Sequence, residues 1–138
     1  MFFIYLFVFS AVLTSDIILC IQDWRTCTVG AIPLSVFSIS SLCWYLIHGK
    51  YSLLLFVIVS GIGIFAKIFC KKDVFGIADY FFSIFVSPFL INSEVPMLLI
   101  LIGIIGIIAS ILKKNKTTPF VPIISFSILI LRLANGLK

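Results

Sequence analysis

Asp23 and Asp79 are the two residues of this chain best suited to chemistry. Each lies where a long apolar run meets a short basic loop, although only five of the 138 residues are acidic. An ionisable side chain at membrane depth is energetically costly, so its presence there indicates a function. Two neighbouring carboxylates can hydrolyse a peptide bond when one is ionised and deprotonates water while the other is protonated and donates. Close carboxylates in a poorly solvated site would share that proton.

The composition predicts an integral membrane protein. Hydrophobic residues make up 62% of the chain and charged residues only 11%, and the mean hydropathy is +1.32. These values lie well outside the range of soluble domains. Because one spanning helix takes about 20 residues, the apolar runs leave no room for a sizeable soluble domain. We expect residues 1–138 to form a single transmembrane domain in the lipid bilayer.

Six apolar runs, bounded by charge, glycine or proline, predict the helices that position the two aspartates. The runs are approximately 2–22, 30–48, 51–70, 76–92, 95–112 and 119–135. Hydrocarbon offers no water to backbone groups, and the runs lack the alternation of barrel strands. The predicted fold is therefore all-α, a polytopic bundle of about six transmembrane helices, in which the fourth span is the shortest.

The positions of Lys and Arg predict the orientation, because an excess in short loops marks the cytoplasmic side. The first, third and fifth loops are the basic ones. Their cations are Arg25, Lys67, Lys71, Lys72, Lys113, Lys114 and Lys116. The N-terminus is therefore expected outside the cytoplasm, and both aspartates at the cytoplasmic face; Arg132 and Lys138 run against the rule. The net charge of +5 is scattered in this way and predicts no nucleic-acid partner.

The cysteines predict neither a metal site nor a disulfide framework. They form no CxxC pair and show no spacing typical of zinc ligands. The four positions are Cys20, Cys27, Cys43 and Cys70. The cysteines are expected to be free thiols in apolar packing, and the hydrolysis by two carboxylates described above is expected to use no metal and no organic cofactor.

Three segments, in order along the chain, match the signatures of one family. Residues 23–29, DWRTCTV, are similar to an Asp-x-Arg-x-x-x-Ile-Pro-Asn signature. Residues 76–79, GIAD, resemble a GxGD motif, and residues 118–122, TPFVP, resemble a Pro-Phe-Gly-Pro motif. The motif positions besides the aspartates are Gly76, Ala78, Pro119, Phe120 and Pro122. In this order the segments resemble the type IV prepilin peptidases, which are GxGD-type intramembrane aspartyl proteases.

The resemblance implies that Asp23 and Asp79 are the catalytic pair of an inner-membrane endopeptidase. Its substrate would be a prepilin-like protein, cut at the cytoplasmic end of its hydrophobic segment. Arg25, Lys71 and Lys72 would be candidates for binding this substrate, although topology alone also explains these cations. Without a cytoplasmic insert carrying paired CxxC motifs, the chain resembles the short, peptidase-only form found with some pilus and tight-adherence systems.

Several positions depart from the family's signatures. Gly30 and Ala31 stand where Pro and Asn are usual, Ala78 replaces the second glycine of GxGD, and Val121 replaces the glycine of the last motif. An alanine disfavours positive φ, so the segment before Asp79 is expected to be more helical than in the family. Two alternatives stay open: a non-catalytic assembly protein or inactive peptidase relative, and a small transporter component.

Simpler explanations exist for the acidic residues as well. Asp23 could pair with Arg25 at the lipid headgroups, and Asp79 lies in the first turn of a predicted helix, where the helix dipole favours an acid. Asp16 lies seven residues before Asp23, on nearly the same face of the predicted helix and about 10 Å deeper in the membrane. A hydrogen bond between Asp16 and a hydroxyl on a neighbouring helix is favoured over a catalytic or coupling role.

Glycines in the apolar runs predict close contacts between helices. The four candidates are Gly61, Gly63, Gly103 and Gly106.

Overall fold

The computed structural model describes residues 2–71, 73, 75–113 and 118–136. In these ranges the chain forms six α-helices, which confirms the predicted all-α fold, and no strand is present in them. The helices are α1 (Phe2–Thr26), α2 (Ala31–His48), α3 (Leu54–Phe65), α4 (Ile77–Phe85), α5 (Val95–Lys113) and α6 (Phe120–Gly136). A π-helical segment, Ala66–Cys70, continues α3, and 3-10 turns follow α4 and precede α5.

Three segments are long and apolar enough to cross a membrane: Phe3–Thr26, Ala31–His48 and Asn92–Lys113. The other three apolar helices are shorter. The predicted run 76–92 does not form one helix, because α4 gives way to the 3-10 turn Ser87–Phe89. Pro88 explains this break, since proline lacks the N–H that a continuing helix needs.

Large apolar side chains cover the outside of the bundle. Phe3, Ile32 and Leu46 are 82%, 80% and 80% exposed. A protein surrounded by water rarely shows such a surface over its whole circumference. This surface and the three span-length helices indicate a membrane protein.

The core of the bundle is built where α1 packs against α2 and α6 and where α4 contacts α2, α3 and α6. Leu19, Phe37, Phe82 and Ile124 are fully or almost fully buried there. The rings of Phe37 and Phe82 stack with their centroids 5.0 Å apart. These contacts hold α1, α4 and α6 together, and these three helices carry Asp23, Asp79 and the backbone donor to Asp23.

An ion pair at the opposite end of the bundle explains Arg132. Its guanidinium donates to Glu94 Oε1 at 2.8 Å and also to the carbonyl oxygen of Phe89. Asn135 Nδ2 donates to the same Glu94 oxygen at 3.1 Å. Arg132 therefore ties α6 to the turns around α5, a structural role that makes its departure from the loop-charge rule understandable. Lys138 lies outside the described residues.

Of the four glycines predicted as close contacts, Gly63 is the clearest. A Cβ at Gly63 would lie 2.1 Å from the hydroxyl of Tyr80, so α3 and α4 meet closely there. A Cβ at Gly106 would lie 4.0 Å from Ile123 of α6, which is an ordinary contact distance. The prediction was wrong for Gly61 and Gly103, where a Cβ would have no neighbour within 4 Å.

Candidate active site

The carboxylate of Asp23 is held by the first turn of another helix. Asp23 lies in the last turn of α1 and is only 4% exposed. Its Oδ2 accepts a hydrogen bond from the backbone N–H of Val121 at 2.8 Å, and the N–H of Phe120 also acts on it. Asp23 thus lies at the N-terminus of α6, where unpaired N–H groups and the helix dipole favour a negative charge.

Prolines bracket the two N–H donors. Pro119 is fully buried just before α6, and Pro122 is buried in its first turn. Because proline has no backbone N–H, the first residues of α6 offer donors only at Phe120 and Val121. The motif residues of this segment therefore shape a binding site for a carboxylate. The buried side chain of Val121 belongs to the core, and its backbone N–H remains available as a donor.

Asp79 lies in the first turn of α4. Its Oδ2 accepts the backbone N–H of Gly76 at 2.8 Å, which caps the helix. Gly76 has an extended backbone, with φ −77° and ψ 162°. Ala78 lies within α4 and, unlike Cys27 and Lys71, has no positive φ. The segment before Asp79 is therefore helical, as its alanine predicts.

Both aspartates line one cavity of about 660 Å³. The cavity lies at the end of the bundle where α1 ends and α4 and α6 begin, and the charge of Asp23 acts on Asp79 across it. Its walls also include Thr28 after α1 and the apolar side chains of Ile102 and Ile123. A cavity of this size is typical of a ligand site, and it brings two carboxylates to one surface.

Lys113 is a site residue that the sequence interpretation treated only as a topology signal. From the last turn of α5, its Nζ lies 2.9 Å from Cys27 Sγ and 5.9 Å from the centre of the Trp24 ring. Its positive charge acts on Asp23. Lys113 therefore brings a cation to the Asp23 side of the cavity.

Asp73 is a second residue that the sequence interpretation missed. It lines the same cavity and forms an exposed ion pair with Lys67, at 3.2 Å. Both residues also line a smaller neighbouring cavity of about 450 Å³ between α3 and α4. A count of acids near the two motif aspartates would have found Asp73, since it is the only other acid in the predicted basic loops.

The predicted substrate-binding cations lie elsewhere. Arg25 and Lys71 are exposed and do not line the large cavity, and Lys72 lies outside the described residues. Within the described ranges, the ion pairs are Lys67–Asp73 and Arg132–Glu94. Asp23 accepts backbone N–H groups instead of pairing with Arg25, so the simpler explanation of Asp23 as a headgroup ion pair was wrong.

Gly30 has a local role that the family's proline could not fill. Its N–H donates to Gln22 Oε1 at 3.0 Å, which ties the segment after α1 back to that helix. Proline lacks this donor. Ala31, in the place of the family's asparagine, is the exposed first residue of α2. Gly30 and Ala31 thus belong to the turn between α1 and α2, and Asp23 lies in the cavity.

Asp16 is not part of the cavity. Its Oδ1 accepts a hydrogen bond from Ser125 Oγ of α6 at 2.8 Å. The predicted hydrogen bond to a hydroxyl of a neighbouring helix is therefore present. It links α1 to α6 about two turns below Asp23.

No family model matches the chain, and comparisons with curated proteins and with solved structures give no match either. Among the described residues, no group of three His, Cys, Asp or Glu side chains is placed to hold a metal ion.

Proposed function

We propose that this chain is a membrane aspartyl endopeptidase in which Asp23 and Asp79 hydrolyse a peptide bond. The observation that carries the proposal is that these two residues, far apart in sequence, line one cavity at the same end of the bundle. Carboxylates are rare in this chain, and among the described residues neither Asp23 nor Asp79 forms an ion pair.

The proposed reaction uses the pair as base and acid. The ionised carboxylate takes a proton from water, whose oxygen bonds to the peptide carbonyl carbon, while the protonated carboxyl donates to the carbonyl oxygen. The carbon–nitrogen bond then breaks as the leaving amine takes a proton, and the pair returns to one proton shared between two groups. A cavity at the end of an apolar bundle suits this reaction because water and a membrane-embedded substrate can both reach it.

The substrate class comes from the motif resemblance. We propose a prepilin-like protein whose leader is cut at the cytoplasmic face of the bacterial inner membrane, with the N-terminus of the enzyme outside the cytoplasm. One observation supports the transfer of the motif roles: in the third motif, the backbone N–H of Val121, between the two prolines, holds Asp23 at the cavity.

An inactive relative is the second candidate. Its support is the regular helical geometry at Ala78, together with the hydrogen bond by which Asp79 caps α4. Asp79 would then only cap α4, and the protein would not cleave peptide bonds. The transporter alternative gains no comparable support, because Asp16, its proposed coupling residue, is bonded to Ser125.

Leader removal in cells co-expressing the chain and its candidate prepilin tests the proposal. Asp23→Asn and Asp79→Asn should each abolish cleavage, since an amide neither activates water nor donates as a carboxylic acid does. Insertion and folding should be retained, because an asparagine carbonyl still accepts the N–H groups of Val121 or Gly76. The matched control is Asp73→Asn, a change to the exposed acid of the same cavity, which should leave cleavage unchanged.

Two results would contradict the proposal. Cleavage retained by Asp23→Asn or by Asp79→Asn would exclude the pair as the catalytic group. A folded wild-type protein that leaves its matching prepilin uncut would favour the inactive relative.

A further inference from the structure

We infer that Asp23 is the ionised member of the pair and Asp79 the protonated one, and that Lys113 is the positioning residue that fixes this order. The inference rests on the proposed peptidase function for its catalytic meaning. The protonation order itself is a property of the cavity and is measurable without cleavage. The order depends on the groups that contact each carboxylate. Burial affects both carboxylates and therefore does not distinguish them.

Asp23 has the partners that favour a carboxylate. Two backbone N–H groups at the start of α6, those of Phe120 and Val121, act on it, and the Val121 bond is 2.8 Å long. The ammonium group of Lys113 adds an opposite charge. Hydrogen bonds to the charged form and a nearby opposite charge both favour ionisation.

Asp79 has fewer such partners. It accepts one backbone N–H, that of Gly76, at 2.8 Å. It also lies at a helix N-terminus, so the helix dipole acts on both aspartates and does not separate them. The charges of Asp23 and Asp79 act on each other across the cavity, so their repulsion favours one shared proton without deciding which residue holds it; the hydrogen bonds and Lys113 decide that. When only one proton is available to the pair, these contacts leave it on Asp79.

Other charged groups near Asp23 do not reverse this order. Asp73 also lines the cavity, but it is exposed and paired with Lys67. On α1 itself, Asp16 is two turns deeper and bonded to Ser125. Arg25, two residues after Asp23, is exposed and forms no ion pair among the described residues. The remaining titratable groups on α1 and on the helices that pack against it are Tyr5 and Cys20 of α1, Cys43, Tyr45 and His48 of α2 and Arg132 of α6, with Cys27 directly after α1. Lys113 is therefore the cation, among the described residues, placed to hold Asp23 ionised.

Lys113 is itself held in place by α1. Its Nζ contacts Cys27 Sγ at 2.9 Å and lies over the Trp24 ring, 5.9 Å from its centre. Both contacts lie on the segment that carries Asp23. The lysine thus joins the end of α5 to the end of α1 and keeps its charge beside the carboxylate.

The order assigns a role to each aspartate. Asp23 accepts the proton of the attacking water, whose oxygen bonds to the carbonyl carbon, while Asp79 gives its proton to the carbonyl oxygen. When the carbon–nitrogen bond breaks, the amine takes the proton from Asp23 and the hydroxyl group returns one to Asp79. The pair then starts the next cycle with Asp23 ionised and Asp79 protonated.

The protonation order can be measured by labelling with dicyclohexylcarbodiimide, an apolar reagent that modifies protonated carboxyls. Labelling of the full-length protein in vesicles over a pH series, followed by peptide mass spectrometry, gives a midpoint for each aspartate. We expect Asp79 to remain labelled at higher pH than Asp23. In Lys113→Met, the midpoint of Asp23 should move to higher pH by about one unit, whereas Lys113→Arg should retain the wild-type midpoint.

The matched control is Lys67→Met, which removes a nearby cation that is paired with Asp73. It should leave the midpoint of Asp23 unchanged. Labelling of Asp23 at higher pH than Asp79 in the wild type would overturn the inference, even if Lys113→Met failed to fold. An unchanged Asp23 midpoint in folded Lys113→Met would also overturn the role of Lys113.

Cleavage gives a second readout that separates this inference from the proposed function. The acid limb of the pH profile of leader removal should report Asp23 and move to higher pH in Lys113→Met, while the alkaline limb stays in place. If the wild type cleaves and neither limb moves, the inference fails and the peptidase proposal stands. If the wild type does not cleave, the peptidase proposal fails, and the labelling order still tests the inference.

Discussion

The backbone N–H of Val121 donates a 2.8 Å hydrogen bond to the carboxylate of Asp23, which lies 98 residues earlier in the chain. This bond joins the end of α1 to the beginning of α6. It fixes the orientation of Asp23 through the backbone, so the side chain at position 121 is free to serve the core. The relationship explains why valine is compatible with a position where the resembling family has glycine.

Removing this single donor should impair the proposed catalysis. An ester in place of the amide at residue 121, introduced as α-hydroxyvaline, deletes the N–H and keeps the side chain. Hydrogen bonds to charged groups contribute about 1.5–3 kcal/mol, so leader removal should slow by about 10- to 100-fold. The rate of cleavage per folded protein measures the effect.

The matched control for this ester is the same change at Leu129, in the middle of α6 and away from the cavity. It also deletes one backbone donor but should leave the cleavage rate close to that of the wild type. Equal rates for the ester at 121 and the wild type would show that the bond does not orient a catalytic group.

Labelling of single cysteines tests the proposed orientation. In a background without native cysteines, probes at Trp24 and Ile77, which are both exposed beside the cavity, should react with an impermeant thiol reagent from the cytoplasmic side. A probe at Tyr51, at the other end of the bundle, should react from the opposite side. Inverted and right-side-out vesicles distinguish the two faces.

Reaction at positions 24 and 77 from opposite faces would contradict a joint site. Reaction of both from the outer face would retain the site and reverse the proposed orientation.

The close approach of Gly63 to Tyr80 gives a prediction for stability. Gly63→Ala would place a Cβ 2.1 Å from the Tyr80 hydroxyl, so it should destabilise the folded protein by about 1–3 kcal/mol through overpacking. Gly61→Ala is the matched control: it changes the same residue type in the same helix, and its Cβ meets nothing within 4 Å. The control should be neutral or stabilising by up to about 1 kcal/mol.

Unfolding in detergent micelles measures both variants. Adding Tyr80→Phe to Gly63→Ala should recover part of the loss, because it removes the nearest clashing atom. A loss equal to that of Gly61→Ala would show that α3 and α4 do not meet at this point.

The helices, and the position of the two aspartates at helix ends, were predictable because both depend on the local sequence. Apolar runs specify helices in a membrane, and a carboxylate at the end of such a run stands out. The early end of α4 was also readable, since Pro88 cannot continue a helix. The run 76–92 was predicted as one span, the shortest of the six, from its apolar composition.

The partners of Asp23 were not predictable in the same way. A backbone N–H such as that of Val121 is present in almost every residue type, so the sequence does not identify it as a donor. Only Pro119 and Pro122 on either side of it, which lack an N–H, mark this segment as unusual. Lys113 was counted as a loop cation because its distance from Cys27 and Trp24 depends on how α5 packs, which charge patterns do not report. Arg132 was unexplained for the same reason, as its partner Glu94 lies on another helix.

Ala78 differs from the resembling GxGD motif at the position that bears most directly on the proposed activity, and its place within α4 gives a prediction. Because Ala78 has no positive φ, a glycine there gains no conformation that Asp79 needs. Ala78→Gly should therefore lower the stability of the folded protein by up to about 1 kcal/mol, since glycine weakens a helix, and should not increase the rate of leader removal. Ala31→Gly is the matched control, the same change in the first turn of α2 and away from the cavity. Unfolding in detergent and cleavage at matched protein levels would be compared for both variants. A several-fold faster cleavage by Ala78→Gly alone would mean that the helical start of α4 restrains Asp79, and that the geometry described for this residue is not the one in which it reacts.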